Sequence, residues 1–114
     1  MAEDCIFCKI GAGEVPSDIL YRDDTCFVIR DIAPRAPVHL LVVPNRHFTY
    51  LCSLTPDLHG MIGAMYAAAG EMARRQGVAE TGYRLVVNQG AHSGQQVPHL
   101  HMHLLAGAPL GPMG

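Results

Sequence analysis

The sequence predicts an α+β domain, an antiparallel sheet of about five strands packed against one long helix. Three observations predict it. Short runs rich in β-branched and aromatic residues recur in the first half of the chain and again towards its end. One stretch carries apolar residues at helical spacing. Pro, Gly and Asp stand between these runs, where regular structure has to break.

The elements follow in order. "DILYR" and "TCFVIRD" read as two strands of a hairpin joined at Asp23 and Asp24. Pro34 and Pro37 then break the chain, and "VHLLVVP" reads as a buried strand ended by Pro44. Thr55-Pro56-Asp57 is a helix start, with Thr as N-cap, Pro at the first helical position and an acid in the first turn. Behind it Leu58, Met61, Ile62, Met65, Tyr66, Ala69, Met72 and Ala73 form one apolar stripe, and Gly77 should stop the helix. "YRLVVNQG" is a strand leading into the loop "GAHSGQQ", and "VPHLHMHLLAG" is the last strand.

Composition narrows the function classes. At 114 residues the chain is one domain, 1–114, with residues 106–114 a short tail rich in Gly and Pro. Apolar residues make up 49% and charged residues 16%, a globular balance. A net charge of -2 gives no basic footprint for duplex nucleic acid. No apolar run approaches the ~20 residues of a membrane span. The N-terminal "MAEDCIFCKI" is acidic where a signal peptide is basic, so a cytoplasmic location is expected. In that reducing compartment Cys5, Cys8, Cys26 and Cys52 are expected as thiols or metal ligands. Cys26 and Cys52 stand in apolar settings and read as small buried hydrophobes. Cys5-x-x-Cys8 has the spacing of half a zinc site, and equally of a redox pair.

The densest signal is "HLHMHLL". Side chains alternate along a strand, so His99, His101 and His103 share one face and Leu100, Met102 and Leu104 the other. Three imidazoles cannot occupy a dry core without many partners, so this face should line a cleft, a metal site or solvent. An exposed strand would mix Lys, Thr or Glu among them, and none is there. A metal cage and phosphate chemistry with an imidazole nucleophile remain. The preceding "NQGAHSGQQ", with its glycines and amide side chains, can turn backbone N–H groups toward an anion, which favours phosphate.

"HLHMHLL" fits the His-φ-His-φ-His-φ-φ signature (φ apolar) of the histidine triad superfamily, and "GQQVPHLHMHLL" resembles its fuller form. "CIFCKIGAGEVPSDILYRDD", "RDIAPRAPVHLLVVPNRH" and "YRLVVNQG" resemble blocks of the nucleotide-binding branch, so the likeness runs from Cys5 to Leu105. It implies that family's fold, with a short N-terminal helix besides the long one. It implies a hydrolase or nucleotidyl transferase acting on purine nucleoside 5'-phosphoramidates or related nucleoside monophosphate derivatives. By position His101 matches the nucleophile, and His103 and His39 match the imidazoles beside it. Asn88, Gln95, Gln96 and Val97 match phosphate contacts. Asp31 matches the carboxylate on the ribose hydroxyls, and Phe7, Ile29 and Ile32 match the walls around the purine. In the Cys-bearing branch Cys5, Cys8, His47 and His99 match a closed, structural zinc site. A homodimer is also implied, and the helix face "YAAAGEMA" is small enough to pack closely. His59 and His92 match no role and are expected in solvent.

From the residues alone, Phe7, Ile29 and Ile32 could equally be core, Asp31 a turn residue and His39 a satisfied core histidine. Three departures stand out. Pro98 lacks a backbone donor, leaving the N–H of His99 as the next one. Gln96 stands where the branch commonly has a hydroxyl, and the chain has no Trp with which to select a leaving group. The rival readings are a non-catalytic nucleotide-binding scaffold and a metalloprotein whose triad itself binds the ion.

Overall fold

Alternation along the central strands gives the sheet two apolar faces, and a helix covers each. The structure is a computed structural model and describes residues 5–114; the acidic start Met1–Asp4 lies outside the described residues. The elements are α1 (Ile6–Gly11), β1 (Ile19–Arg22), β2 (Cys26–Arg30), β3 (Val38–Pro44), α2 (His59–Arg75), β4 (Tyr83–Val86) and β5 (Met102–Ala106). The strands form one antiparallel sheet in the order β1-β2-β3-β5-β4. The α+β expectation, its strand count and both helices are therefore present.

On one face Cys26, Val28, Leu40, Val42, Met102 and Leu104 pack against Met61, Met65, Ala68, Ala69 and Met72 of α2. On the other, Phe27, Ile29, Leu41 and Val43 pack against Cys5, Phe7 and Ile10 of α1 and its approach. The hairpin turn is set by Asp23, whose Oδ1 accepts the amides of Thr25 at 2.7 Å and Cys26 at 2.8 Å. β5 ends at Gly107, where φ is +96° and a Cβ would lie 2.9 Å from Cβ of Pro37. Only glycine allows both that conformation and that approach.

Several local expectations change. The helix begins with a 3₁₀ turn, Pro56–Leu58, and becomes α-helical at His59. Thr55 makes no cap, because its hydroxyl donates to the carboxylate of Asp57. Tyr66 is exposed and Ala68 takes a place in the stripe, which lies closer to the small residues than the spacing implied. The last strand starts at Met102, so Val97–His101 lies outside the ladder, with a bend at Val97–His99. That strand runs through Ala106, so the tail without regular structure starts at Gly107. Cys26 is fully buried as expected, and burial beside Asp23 pushes its thiol up to about 12. Cys52 is exposed, since the turn Leu51–Ser53 lies on the surface rather than in the core. His59 and His92 are in solvent.

Candidate active site and metal centre

Leu100, Met102 and Leu104 are buried in the core beneath α2, which turns His99, His101 and His103 to the opposite face. That face is not open: His99 and His101 are buried and His103 is half-buried. Such a cluster is tolerable because each ring is partnered. Among the described residues no buried side-chain nitrogen or oxygen lacks a hydrogen bond.

The partners assign the ring protons. Nδ1 of His101 lies 2.8 Å from the carbonyl oxygen of His99. A carbonyl can only accept, so the proton of the neutral ring sits on Nδ1 and Nε2 keeps its lone pair. That Nε2 has no hydrogen-bond partner among the described residues and is a ring atom that solvent reaches. Phe7 packs edge-on against the same ring, at 5.0 Å between centroids, and against His99 at 5.7 Å. The ring of His103 lies 5.1 Å from that of His101, and its Nδ1 is 2.9 Å from Nε2 of His39. Burial, then the neighbouring His101 and His39, push His103 down to about 4. Burial also lowers His39. Both rings are therefore neutral near pH 7.

Asp31 follows β2, and its Oδ1 accepts the amide of Ala33 at 2.8 Å while its Oδ2 lies 3.4 Å from Nε2 of His39. The turn expectation holds for this residue, and the carboxylate also reaches the histidine cluster. Phe7 and Ile29 are buried in the second core, whereas Ile32 is fully exposed. Ile32 sits beyond the end of β2, where the chain leaves the sheet. Both polar ends of Gln95 are engaged inside its loop, accepting from the amide of Gly90 at 2.7 Å and donating to the carbonyl of Val97 at 3.2 Å. The amides of Gln96 and Val97 have no partner among the described residues. The His99 amide, in contrast, is not available: it donates to the carbonyl of Val97 at 2.9 Å, because Pro98 lets the chain fold into a tight turn there. Asn88 lies two residues past β4, beyond the pairing of Val86 with His103.

Cys5, Cys8, His47 and His99 converge, their ligand atoms all within 4.8 Å of one another. Nε2 of His99 lies 2.9 Å from the carbonyl oxygen of Pro44, which leaves the lone pair on Nδ1. That Nδ1 faces Sγ of Cys5 at 3.2 Å and of Cys8 at 3.6 Å, and Nδ1 of His47 is 3.2 Å from Sγ of Cys8. Two sulfurs and two imidazole nitrogens are a tetrahedral zinc donor set, so these residues fit a metal. Burial and the neighbouring Cys5 push the Cys8 thiol up to about 11. A redox pair needs a lowered thiol pKa, whereas a metal ion displaces the proton outright. The segment after His47 is tied to the two loops beside it by bonds the sequence did not reveal. The Gln89 side chain bonds the carbonyl of Thr49 and the amide of Leu51, and the Thr49 hydroxyl donates to the carbonyl of Pro98. A glutamine after a strand carries no signal of such a role.

Residues 12–110 match the family model of the HIT domain. The chain belongs to the HIT family. This HIT domain is 47% identical over 113 residues to the purine nucleoside phosphoramidase of Escherichia coli K12, covering 99% of this chain and 95% of that protein. It superposes on a HIT family hydrolase from Clostridium thermocellum with a TM-score of 0.93, at 43% identity and 96% coverage of both chains. A Zn-bound histidine triad family protein from Mycobacterium smegmatis matches with a TM-score of 0.77 at 30% identity, covering 92% of this chain and 76% of that one. These relatives, one named a purine nucleoside phosphoramidase and one a HIT family hydrolase, support a hydrolase. Among the described residues no helix is long and apolar enough to cross a membrane.

Proposed function

We propose that this HIT domain hydrolyses purine nucleoside 5'-phosphoramidates, or related nucleoside monophosphate derivatives, through a covalent nucleotidyl-histidine. The observation that carries this is the bond from Nδ1 of His101 to the His99 carbonyl, which leaves Nε2 as the free nucleophile. Nε2 attacks the α-phosphorus, the P–N bond to the leaving amine breaks, and the amine departs with a proton taken from solvent. Water then attacks the same phosphorus, the P–N bond to His101 breaks, the water's proton returns to solvent, and the nucleoside monophosphate leaves. His103 acts as a neutral donor beside the phosphoryl oxygens, where a fixed dipole stabilises developing charge, and His39 stands behind it. The free amides of Gln96 and Val97 serve the same charge, presented by a loop that Gln95 braces. Asn88 completes the phosphate contacts. Asp31 takes the ribose hydroxyls, and Phe7, Ile29 and Ile32 bound the base. The 47% identity to a purine nucleoside phosphoramidase supports the substrate class.

Cys5, Cys8, His47 and His99 are proposed to hold zinc. A closed set of four protein ligands supplies structural binding and leaves no open position for water. The relative named as Zn-bound supports this choice of ion. We further propose a homodimer in the cytoplasm; the exposed Tyr66 and small residues of the outer α2 face support close packing with a second copy.

Mixing the protein with a set of nucleoside phosphoramidates and recording the intact mass should reveal a nucleotidyl adduct. His101→Asn should lose the adduct and cut turnover by about 10³-fold or more, while nucleoside monophosphate still binds. Turnover within tenfold of wild type would remove the covalent route, and metal bound at His101 would replace it with a metalloenzyme.

A further inference from the structure

We propose that His39 is a positioning residue: the backbone amide of Arg35 fixes its only ring proton on Nε2, and that proton in turn holds His103 as a neutral donor through its own Nε2. The chain of assignments starts from a group whose polarity admits no choice. The Arg35 amide lies 3.0 Å from Nδ1 of His39, and a backbone N–H can only donate, so Nδ1 of His39 must carry the lone pair. In the neutral ring the proton is then on Nε2. Two acceptors face it, Nδ1 of His103 at 2.9 Å and Oδ2 of Asp31 at 3.4 Å. The shorter contact takes the better share of the bond. Nδ1 of His103 therefore accepts, and the His103 proton is on Nε2.

The same chain says what His103 cannot do. A second proton on His103 would have to sit on Nδ1, where it would meet the Nε2–H of His39 head-on. Moving the His39 proton to Nδ1 would meet the Arg35 amide instead. Among the described residues Asp31 is the one carboxylate in contact with the pair, and Arg35 and His101 are the other polar neighbours acting on it. An extra proton has no unopposed place, in keeping with the lowered pKa values of both rings. His103 thus offers a hydrogen bond to a phosphoryl oxygen and does not supply the proton that leaves with the amine. A neutral imidazole can serve in this way as an electrophile, as it does elsewhere in enzymes.

The turn that aims the Arg35 amide is built by its own short-range bonds. The carboxylate of Asp31 takes the amide of Ala33, and the amide of Asp31 donates to the carbonyl of His39 at 3.0 Å. Residues 31–39 thereby fold back on the start of β3.

The inference rests on the nucleotidyl-transfer reading only in its kinetic arm; the tautomer can be read without substrate. In ¹⁵N-labelled full-length protein near pH 7, two-bond ¹H–¹⁵N spectra should show His39 and His103 both protonated at Nε2 and bare at Nδ1. A His103 ring protonated at Nδ1, or averaging between the two forms, overturns the proposal without any variant. Two substitutions then test the cause. His39→Gln can place an amide N–H near the former Nε2 position, whereas His39→Glu offers only acceptors when ionised. His39→Gln should keep the His103 tautomer. His39→Glu should move the proton to Nδ1 and lower kcat relative to His39→Gln by about 100-fold, with KM little changed. Equal kcat for the two variants, or an unmoved tautomer in His39→Glu, defeats the proposal. If no phosphoramidate is turned over by wild type, the substrate reading fails and the spectra still decide this one.

Discussion

His101 depends on a carbonyl two residues behind it, and much of the site has this short-range character. Nδ1 of that ring is committed to the His99 backbone, so replacing neighbouring side chains should leave its tautomer intact. Asp31 has a more divided position. One oxygen accepts the Ala33 amide and the other lies beside His39, yet each carboxylate oxygen has a further lone pair. If Asp31 also accepts from ribose, Asp31→Ala should weaken binding of ribonucleoside monophosphates more than of their 2',3'-dideoxy analogues. A hydrogen bond to a charged group contributes roughly 1.5–3 kcal/mol, so the two losses should differ by about tenfold or more. Calorimetric titration of both ligands makes the comparison, and equal losses would reduce Asp31 to its turn.

At the scale of elements, the six-residue α1 is too short to be stable by itself and is held by what it touches. Phe7 and Ile10 bury against β2 and β3, and Cys5 and Cys8 bring it to His47 and His99. A metal bound there would join three separate parts of the chain: α1, the segment after β3, and the approach to β5. The protein as isolated should therefore carry about one zinc per chain, measurable by elemental analysis. Chelation, or Cys5→Ser with Cys8→Ser, should lower Tm, because metal binding that occurs only in the folded state adds to its stability. The chemical step should fall less than stability does, since the proposed nucleophile is His101. A metal-free wild type that is equally stable and fully active, with both thiols reduced, would rule the site out.

The molecule as a whole should be sensitive to acid. His39 and His103 are both lowered by burial, His103 to about 4. In the unfolded chain a histidine titrates near 6.5, so between about 6.5 and 4 the unfolded state binds more protons than the native one. Stability is then fully present above that interval and is lost as pH falls through it. Tm at pH 5 should be lower than at pH 7 by several degrees, an effect on the order of 1 kcal/mol after allowing for the partial exposure of His103. His103→Gln should reduce this difference. If the variant keeps the wild-type pH dependence, His103 is not its source.

By itself the sequence determined the sheet, because strand alternation separates Leu40 and Val42 from Leu41 and Val43, and Leu100, Met102 and Leu104 from the three histidines. It also determined the span of β3, the stop at Gly77 and the shared face of His99, His101 and His103. These signals are local, carried by residue type and spacing. Tertiary structure decided what residue type and spacing leave open. It sent the Thr55 hydroxyl to a side chain, spent the His99 amide on Val97 and left Cys52 and Ile32 exposed. It also assigned the ring protons, since the donors and acceptors that orient His39, His99 and His103 include backbone groups at Arg35 and Pro44. Every residue has a similar amide and carbonyl, so sequence does not distinguish the one that will orient an imidazole. Only the fold, by bringing a particular amide or carbonyl within 3.0 Å of a ring nitrogen, makes that choice.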